Sequence, residues 1–344
     1  MDEQPYQGFS PATYGAAPAY VPPPPPPPMF RPLSTGEILD RTMALYRQNF
    51  WLFAGIGAGA AAINTLSSAI RLIFVGSPKT SLFGMTGAKT PLLTPQDMPA
   101  LARMELFALP LALVFVIAYG VSKAATVKAV MELSQGRRIS AAEAYQSISR
   151  RWLGWFGIVL RQYWAVVWPI ALGGLMWIGA VAAAAGLFKS NPAAVGVMAL
   201  VGFAFLLAGL VLGVLNYLRV SLAEAAGVVE GLGVNASLRR SRMLVSGRKG
   251  RIFLALLLVY ALYMVAGGLQ LPFAMLAQAS RGSAHVLLVV GALVVGFVAT
   301  SLVLPVASIA LTLFYLDERV RREGYDIELL LQRSIAVAVP SPEL

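Results

Sequence analysis

The sequence predicts an all-α membrane protein with six transmembrane helices, and three observations support this fold class. Hydrophobic residues make up 58% of the 344 residues, charged residues only 12%, and the mean hydropathy is +0.70. Soluble globular proteins usually contain about 45–50% apolar residues. Six apolar runs are each long enough to cross about 30 Å of hydrocarbon as a helix, and they far exceed the length of barrel strands. Lysine and arginine residues are concentrated in every second connection between these apolar runs.

The first 30 residues predict a disordered, Pro-rich cytoplasmic tail. They are rich in Pro, Ala and Tyr, and residues 22–28 are all proline, which favours a polyproline II stretch. The segment starts acidic and lacks an apolar core, so it does not resemble a signal peptide. It could dock a protein partner through an aromatic groove, or serve only as a solvated spacer.

An amphipathic helix is predicted over residues 31–53, RPLSTGEILDRTMALYRQNFWLF. Ser34 and Glu37 form an S-x-x-E capping box, which marks a helix start. Arg41 and Arg47 lie on the polar side. The apolar stripe at helical spacing consists of Leu39, Met43, Tyr46 and Phe50. Such a helix suits the headgroup boundary of a bilayer, although packing beneath the bundle explains it nearly as well.

The six spans follow within a membrane domain predicted over residues 31–335, and residues 336–344 form a C-terminal tail. Each span holds about 20 or more predominantly apolar residues, which is enough to cross the hydrocarbon core. The spans are placed at residues 50–76, 105–130, 155–186, 194–217, 251–279 and 285–315.

Orientation follows from the positions of the basic residues, because cytoplasmic loops carry an excess of Lys and Arg. Both termini are therefore predicted to be cytoplasmic, in agreement with an even number of spans. The sparsely charged side would carry Lys79, Lys89, Arg103, Lys189 and Arg281. The opposite side would carry most of the remaining basic residues, with Lys123 and Lys128 counted among them.

The amphipathic pattern recurs twice, each time before two further spans. Residues 139–156 contain a second capping box, Ser140 and Glu143, and residues 234–253 form a degenerate copy with Asn235 as the expected N-cap. The apolar stripes consist of Tyr145, Ile148, Trp152 and Trp155 in the second copy, and of Leu238, Ser241 and Val245 in the third. A glycine suited to a helix C-terminus precedes the second and third copies and a short terminal stub, at Gly136, Gly231 and Gly324.

The basic faces of these three helices are the first candidate site. Arginine on one side and aromatic residues on the other favour contact with anionic headgroups, or with a protein partner. The predicted binding residues are Arg41, Arg47, Arg150, Arg151, Arg239, Arg240 and Arg242.

Polar residues within the spans are the second candidate site, consisting of Asn64, Arg161 and Gln270. Ionisable residues inside a membrane are functional candidates by default, although an arginine can also snorkel to the interface. Four prolines interrupt different spans, and broken helices can line a transport site. A proton-driven pump is disfavoured, because the acidic residues lie near span ends. The prolines are Pro110, Pro169, Pro272 and Pro305, and the acidic residues are Glu105, Glu132, Glu224 and Glu230.

Three segments carry a family resemblance: LSTGEILDRTMALYRQNFW, VVEGLGVNASLRRSRMLVSGRKGRIF and YLDERVRREGYDIELLLQ. Across residues 31–335 the chain resembles the membrane domain found beside glycerophosphoryl diester phosphodiesterases and its stand-alone relatives. The resemblance implies a six-helix module in a bacterial or archaeal plasma membrane. It does not imply the phosphodiesterase, whose TIM-barrel domain uses paired histidines and metal-binding carboxylates, whereas this chain has one histidine, His285.

The favoured function is therefore a non-catalytic membrane module that binds anionic lipid or a protein partner. A transporter or flippase of a small amphiphile is the alternative, and an intramembrane enzyme is third. We expect no cofactor and no metal, since the chain has no cysteine and a single histidine. We also expect no nucleic-acid partner despite the net charge of +11, because the basic residues lie between apolar runs and not on a polar domain.

Overall fold

The computed structural model describes residues 32–75, 98–187, 191–325 and 327. The predicted tails at 1–30 and 336–344 and the terminal stub lie outside these residues. The described helices are α1 (Thr35–Gln48), α2 (Phe50–Val75), α3 (Met98–Ser134), α4 (Ala141–Ser149), α5 (Trp152–Leu187), α6 (Pro192–Val220), α7 (Ala223–Val229), α8 (Val234–Val245), α9 (Lys249–Gly268), α10 (Leu271–Ala279) and α11 (Gly282–Glu323).

Within the described ranges, six helical segments are long and apolar enough to cross a membrane, which confirms the predicted fold class. The short helices α1, α4 and α8 each precede two of them. The fifth segment is broken between α9 and α10, where Pro272 lies in the first turn of α10. Pro110, Pro169 and Pro305 instead lie inside continuous helices and do not interrupt their spans. The six segments are Phe50–Ile73, Pro110–Ser134, Trp152–Ala184, Pro192–Val229, Lys249–Ala279 and Gly282–Glu323.

Both predicted capping boxes are present. The backbone N–H of Glu37 donates to Ser34 Oγ over 3.2 Å, and the N–H of Ser34 donates to Glu37 Oε2 over 2.7 Å. Ser140 and Glu143 form the same pair of bonds at the start of α4. The Ser140 N–H and hydroxyl lower the pKa of Glu143, because they stabilise its carboxylate form.

Helix α8, the third of the predicted amphipathic helices, begins at a different residue from the one predicted. Gly233 is the N-cap of α8, without a side-chain cap, so the assignment of Asn235 to that position is wrong. Ser237 explains the earlier start, since both its N–H and its hydroxyl donate to the carbonyl of Gly233. Helix α8 therefore begins at Val234.

Three predicted C-terminal glycines adopt the left-handed backbone that suits a helix end. Gly136, Gly231 and Gly324 have φ angles of 78°, 66° and 63°. Each reverses the chain after a helix and directs it towards the next segment.

The short helices bury their apolar faces against the bundle. In α1 the buried residues are Ile38, Thr42 and Tyr46, so the packed face is rotated from the predicted stripe, and Met43 and Phe50 stay exposed. Burial raises the pKa of Tyr46.

The second short helix ends sooner than the sequence pattern indicated. Helix α4 stops at Ser149, and Trp152 begins α5 with its side chain exposed. Trp155 is buried and donates from Nε1 to the carbonyl of Ile148 over 3.1 Å. In α8 the predicted face of Leu238, Ser241 and Val245 is buried as expected. Packing beneath the bundle therefore accounts for the buried faces of these helices.

Candidate functional site

A groove at the charged end of the bundle brings four cations together. It has a volume of about 560 Å³ and lies between α5, α6, α8 and the start of α9. Within the described part of the chain, no acidic residue lines it. We call it the basic groove, and its lining residues are Arg161, Trp164, Ala165, Trp168, Asn216, Arg219, Val220, Leu238, Arg242, Ser246 and Lys249.

Helical spacing places the groove residues of α5 and α6 opposite each other. Arg161, Trp164 and Trp168 recur at intervals of three and four, which puts them on one face of α5. Asn216 joins the two helices, since its Nδ2 donates to the carbonyl of Ala165 over 3.3 Å.

The cations of the basic groove carry uncompensated charge. Arg219 donates to the neutral amide oxygen of Asn216 over 3.4 Å. Among the described residues, none of Arg161, Arg219, Arg242 and Lys249 has an acidic group within ion-pair distance. The groove is therefore a region of positive potential.

Acidic side chains occupy the neighbouring part of the charged end. Asp317 and Glu318 of α11 are almost fully buried. Asp317 accepts from the Leu33 N–H over 2.7 Å and pairs with Arg251 at 3.1 Å. Arg321 pairs with the same carboxylate at 2.9 Å.

A second group of ion pairs lies beside the first. Glu230 accepts from Arg240 Nε over 2.7 Å and from the Tyr315 hydroxyl over 2.5 Å. Arg240 also pairs with Glu323 at 2.6 Å, and this bond raises the pKa of Arg240 although burial opposes it. We call Glu230, Asp317, Glu318, Glu323 and their basic partners the carboxylate network. The network joins the three segments on which the family resemblance rests.

The seven predicted headgroup-binding arginines therefore separate into different environments. Arg242 lies in the basic groove, whereas Arg240 belongs to the carboxylate network. Arg151 donates to the carbonyl of Gly231 over 3.1 Å and lies over the ring of Trp155. Arg41 is partly buried, and Arg47, Arg150 and Arg239 are exposed outside the basic groove and the carboxylate network.

The predicted intramembrane residues do not come together. Arg161 lines the basic groove, whereas Asn64 lies in α2, where its carbonyl accepts from Ser68. Gln270 lies at the break between α9 and α10, with its side chain against Gly296 of α11. Neither Asn64 nor Gln270 lines the basic groove or the cavity described next.

A second cavity lies between α3, α5, α6 and α9. It has a volume of about 380 Å³, and we call it the tyrosine cavity. It is lined by Tyr119, Lys123, Gln162, Tyr163, Val166, Val214, Tyr217, Leu218, Phe253, Leu256, Leu257 and Tyr260.

The polar lining of the tyrosine cavity includes Lys123 and Gln162, which both contact the buried Glu224. Lys123 and Glu224 bond directly, with only 3% of each side chain exposed. Gln162 supports both partners, since its Nε2 donates to Glu224 Oε2 over 3.1 Å and its Oε1 accepts from Lys123 over 3.4 Å. The same Nε2 donates to the carbonyl of Val220 over 2.7 Å.

Sequence reasoning missed this pair. Lys123 was counted among the basic residues outside the membrane, but it lies buried within α3 beside Glu224. Its position inside the predicted span at 105–130 was an available signal, because a charge there needs a partner. The sequence did not identify Glu224 as that partner, since it placed Glu224 near a span end.

Comparison with known proteins does not identify a family for this chain. No protein-family model matches the chain, and neither a curated protein nor a solved structure matches it. The resemblance to the phosphodiesterase-associated membrane domain stays a prediction.

Proposed function

We propose that this protein is a non-catalytic integral membrane module that binds the headgroup of an anionic lipid in the basic groove. The observation that carries the proposal is the convergence of Arg161, Arg219, Arg242 and Lys249, with no acidic group among the described lining residues. Guanidinium groups match the geometry of a phosphate, because they donate two parallel hydrogen bonds.

The two groove tryptophans agree with a site at the membrane boundary. Trp164 and Trp168 expose 65% and 45% of their surface. Tryptophan is enriched at headgroup level, where its ring is amphipathic. A lipid could therefore place its phosphate among the cations while its chains remain in the bilayer.

The proposed orientation puts the basic groove on the cytoplasmic side of a bacterial or archaeal plasma membrane, with both termini cytoplasmic. The groove lies at the end where basic residues are concentrated, and this end faces the cytoplasm under the positive-inside rule. Anionic lipids give the cytoplasmic leaflet its negative surface potential. Arg240 stabilises the bundle in this proposal and does not bind lipid, because its guanidinium is held by Glu230 and Glu323.

The test compares two variants that lose the same charge. The groove variant replaces Arg161, Arg242 and Lys249 by Gln, and the matched control replaces the exposed Arg47, Arg138 and Arg239 by Gln. Binding of phosphatidylglycerol and of phosphatidylcholine would be measured on the purified full chain by native mass spectrometry. Since each cation near an anionic surface contributes about 1 kcal/mol, the groove variant should lose roughly 100-fold in affinity for phosphatidylglycerol.

The control variant should retain most of this affinity, and both proteins should bind phosphatidylcholine equally. Equal loss in the two variants would contradict a localised site and favour diffuse attraction to the surface. An excess of inorganic phosphate should not displace the lipid, and displacement would instead indicate a site for the free anion.

A further inference from the structure

Two tyrosine hydroxyls in the tyrosine cavity have no hydrogen-bond partner among the residues that the structure describes. Tyr119, Tyr163, Tyr217 and Tyr260 line the cavity, and the hydroxyls of Tyr119 and Tyr163 make no hydrogen bond within the described part of the chain. Their rings lie side by side, with centroids 6.3 Å apart. Since a polar group in apolar surroundings costs free energy until it is paired, these hydroxyls favour a ligand with oxygen atoms.

Aromatic and aliphatic side chains on one side of the cavity are exposed at the surface of the bundle. Tyr163, Phe253, Leu257 and Tyr260 expose between 40% and 54% of their surface. They belong to α5 and α9, which both lie in segments long and apolar enough to cross a membrane. A hydrocarbon chain could therefore enter the cavity sideways from the bilayer.

The buried ion pair selects against charged heads. Among the described residues, Lys123 is the only cation in the lining, and Glu224 neutralises it. An anionic head would draw Lys123 away and leave Glu224 buried without its partner, which is strongly unfavourable. A cationic head would lie beside the ammonium of Lys123. An uncharged head leaves the pair intact and can still accept hydrogen bonds from Lys123 and the tyrosines.

We infer that the tyrosine cavity binds an uncharged amphiphile with a hydroxyl or ester head and an apolar chain. The volume of about 380 Å³ falls within the usual range for small-molecule sites. This ligand differs in charge from the lipid proposed for the basic groove, and the two sites have no lining residue in common. The inference therefore does not depend on the proposed function.

The test uses a photoactivatable 1-oleoylglycerol on the full chain in phosphatidylcholine nanodiscs. Replacing Val214 by Trp fills the cavity and should abolish saturable labelling. The matched control is Leu212→Trp. Leu212 is 52% exposed on the same helix and lies outside the lining, so this variant should label like the wild type. The double variant Tyr119→Phe with Tyr163→Phe keeps the shape but removes two hydroxyls. Its half-saturating concentration should rise about tenfold.

Competition tests the charge of the head. Unlabelled 1-oleoylglycerol should compete at least tenfold better than oleate or oleylamine, which have the same chain with a negative or a positive head. Equal competition by either would overturn the inference, as would unchanged labelling of the double Phe variant or of a folded Val214→Trp variant. The groove variant should label normally, so failure of one proposal is separable from failure of the other.

Discussion

Lys123 and Glu224 show how one pair of residues can be costly and still necessary. Transferring two charges from water into a protein interior costs several kcal/mol per ion, and their attraction offsets this only when further hydrogen bonds support the pair. Gln162 provides that support, because its amide bonds to both charged groups. The pair is therefore expected to contribute little net stability, whereas either partner alone would be strongly unfavourable.

A double-mutant cycle tests this balance. Lys123→Met or Glu224→Met alone should lower the free energy of unfolding by about 3–5 kcal/mol, since each leaves a buried charge without its partner. The double variant should recover most of the loss. Thermal unfolding of the purified proteins in one detergent gives the comparison. Additive losses in the double variant would show that the two side chains do not act as a pair.

Glycines determine how closely neighbouring helices approach in the α5–α6 pair. A Cβ at Gly173 would lie 2.6 Å from the carbonyl oxygen of Phe205, and one at Gly213 would lie 3.0 Å from that of Val166. A Cβ at Gly202 would similarly lie 2.9 Å from the Cβ of Ala180. Small residues allow this approach in membrane helices, where packing is a main source of association. These glycines therefore allow α5 and α6 to pack closely.

Substitution of Gly209 tests the contact. In the Gly209→Ala variant the new Cβ would meet backbone atoms of Pro169 and lie 3.4 Å from the Cα of Ile170, so the helices must separate. We expect a loss of about 1–3 kcal/mol in the free energy of unfolding. The control is Gly196→Ala on the same helix, where nothing lies within 4 Å and alanine favours the helix. Equal melting temperatures for the two variants would contradict the account.

Local elements could be predicted from sequence because their causes are local. A capping box needs residues three apart, as in Ser34 and Glu37, and the left-handed turn at Gly324 needs only the absence of a Cβ. The ion pairs are different, because Arg240 meets Glu323 only when α8 packs against the end of α11. The sequence pattern of α8 showed a basic face but not which of its arginines would meet a carboxylate.

At the scale of the whole molecule, charge is divided between paired and unpaired regions of one end. The carboxylate network ties α1, α8, α9 and α11 together, while the basic groove beside it keeps its cations available. The sequence predicted the excess of basic residues at this end. It did not separate the two regions, since the partition depends on helix packing. The division permits one end of the protein to be both stabilised by ion pairs and attractive to an anion.

The orientation of that end can be measured because the chain has no cysteine, so an introduced thiol reports a single position. Ser147 and Ser246 are exposed at the charged end, and Ser283 is exposed in the first turn of α11, near the opposite end. In intact cells an impermeant maleimide should label Ser283→Cys, and also Ser81→Cys, which lies outside the described residues. Ser147→Cys and Ser246→Cys should label only after permeabilisation. Because Ser246 lines the basic groove, its labelling in intact cells would place the groove on the outer face and remove the cytoplasmic leaflet as the source of its lipid.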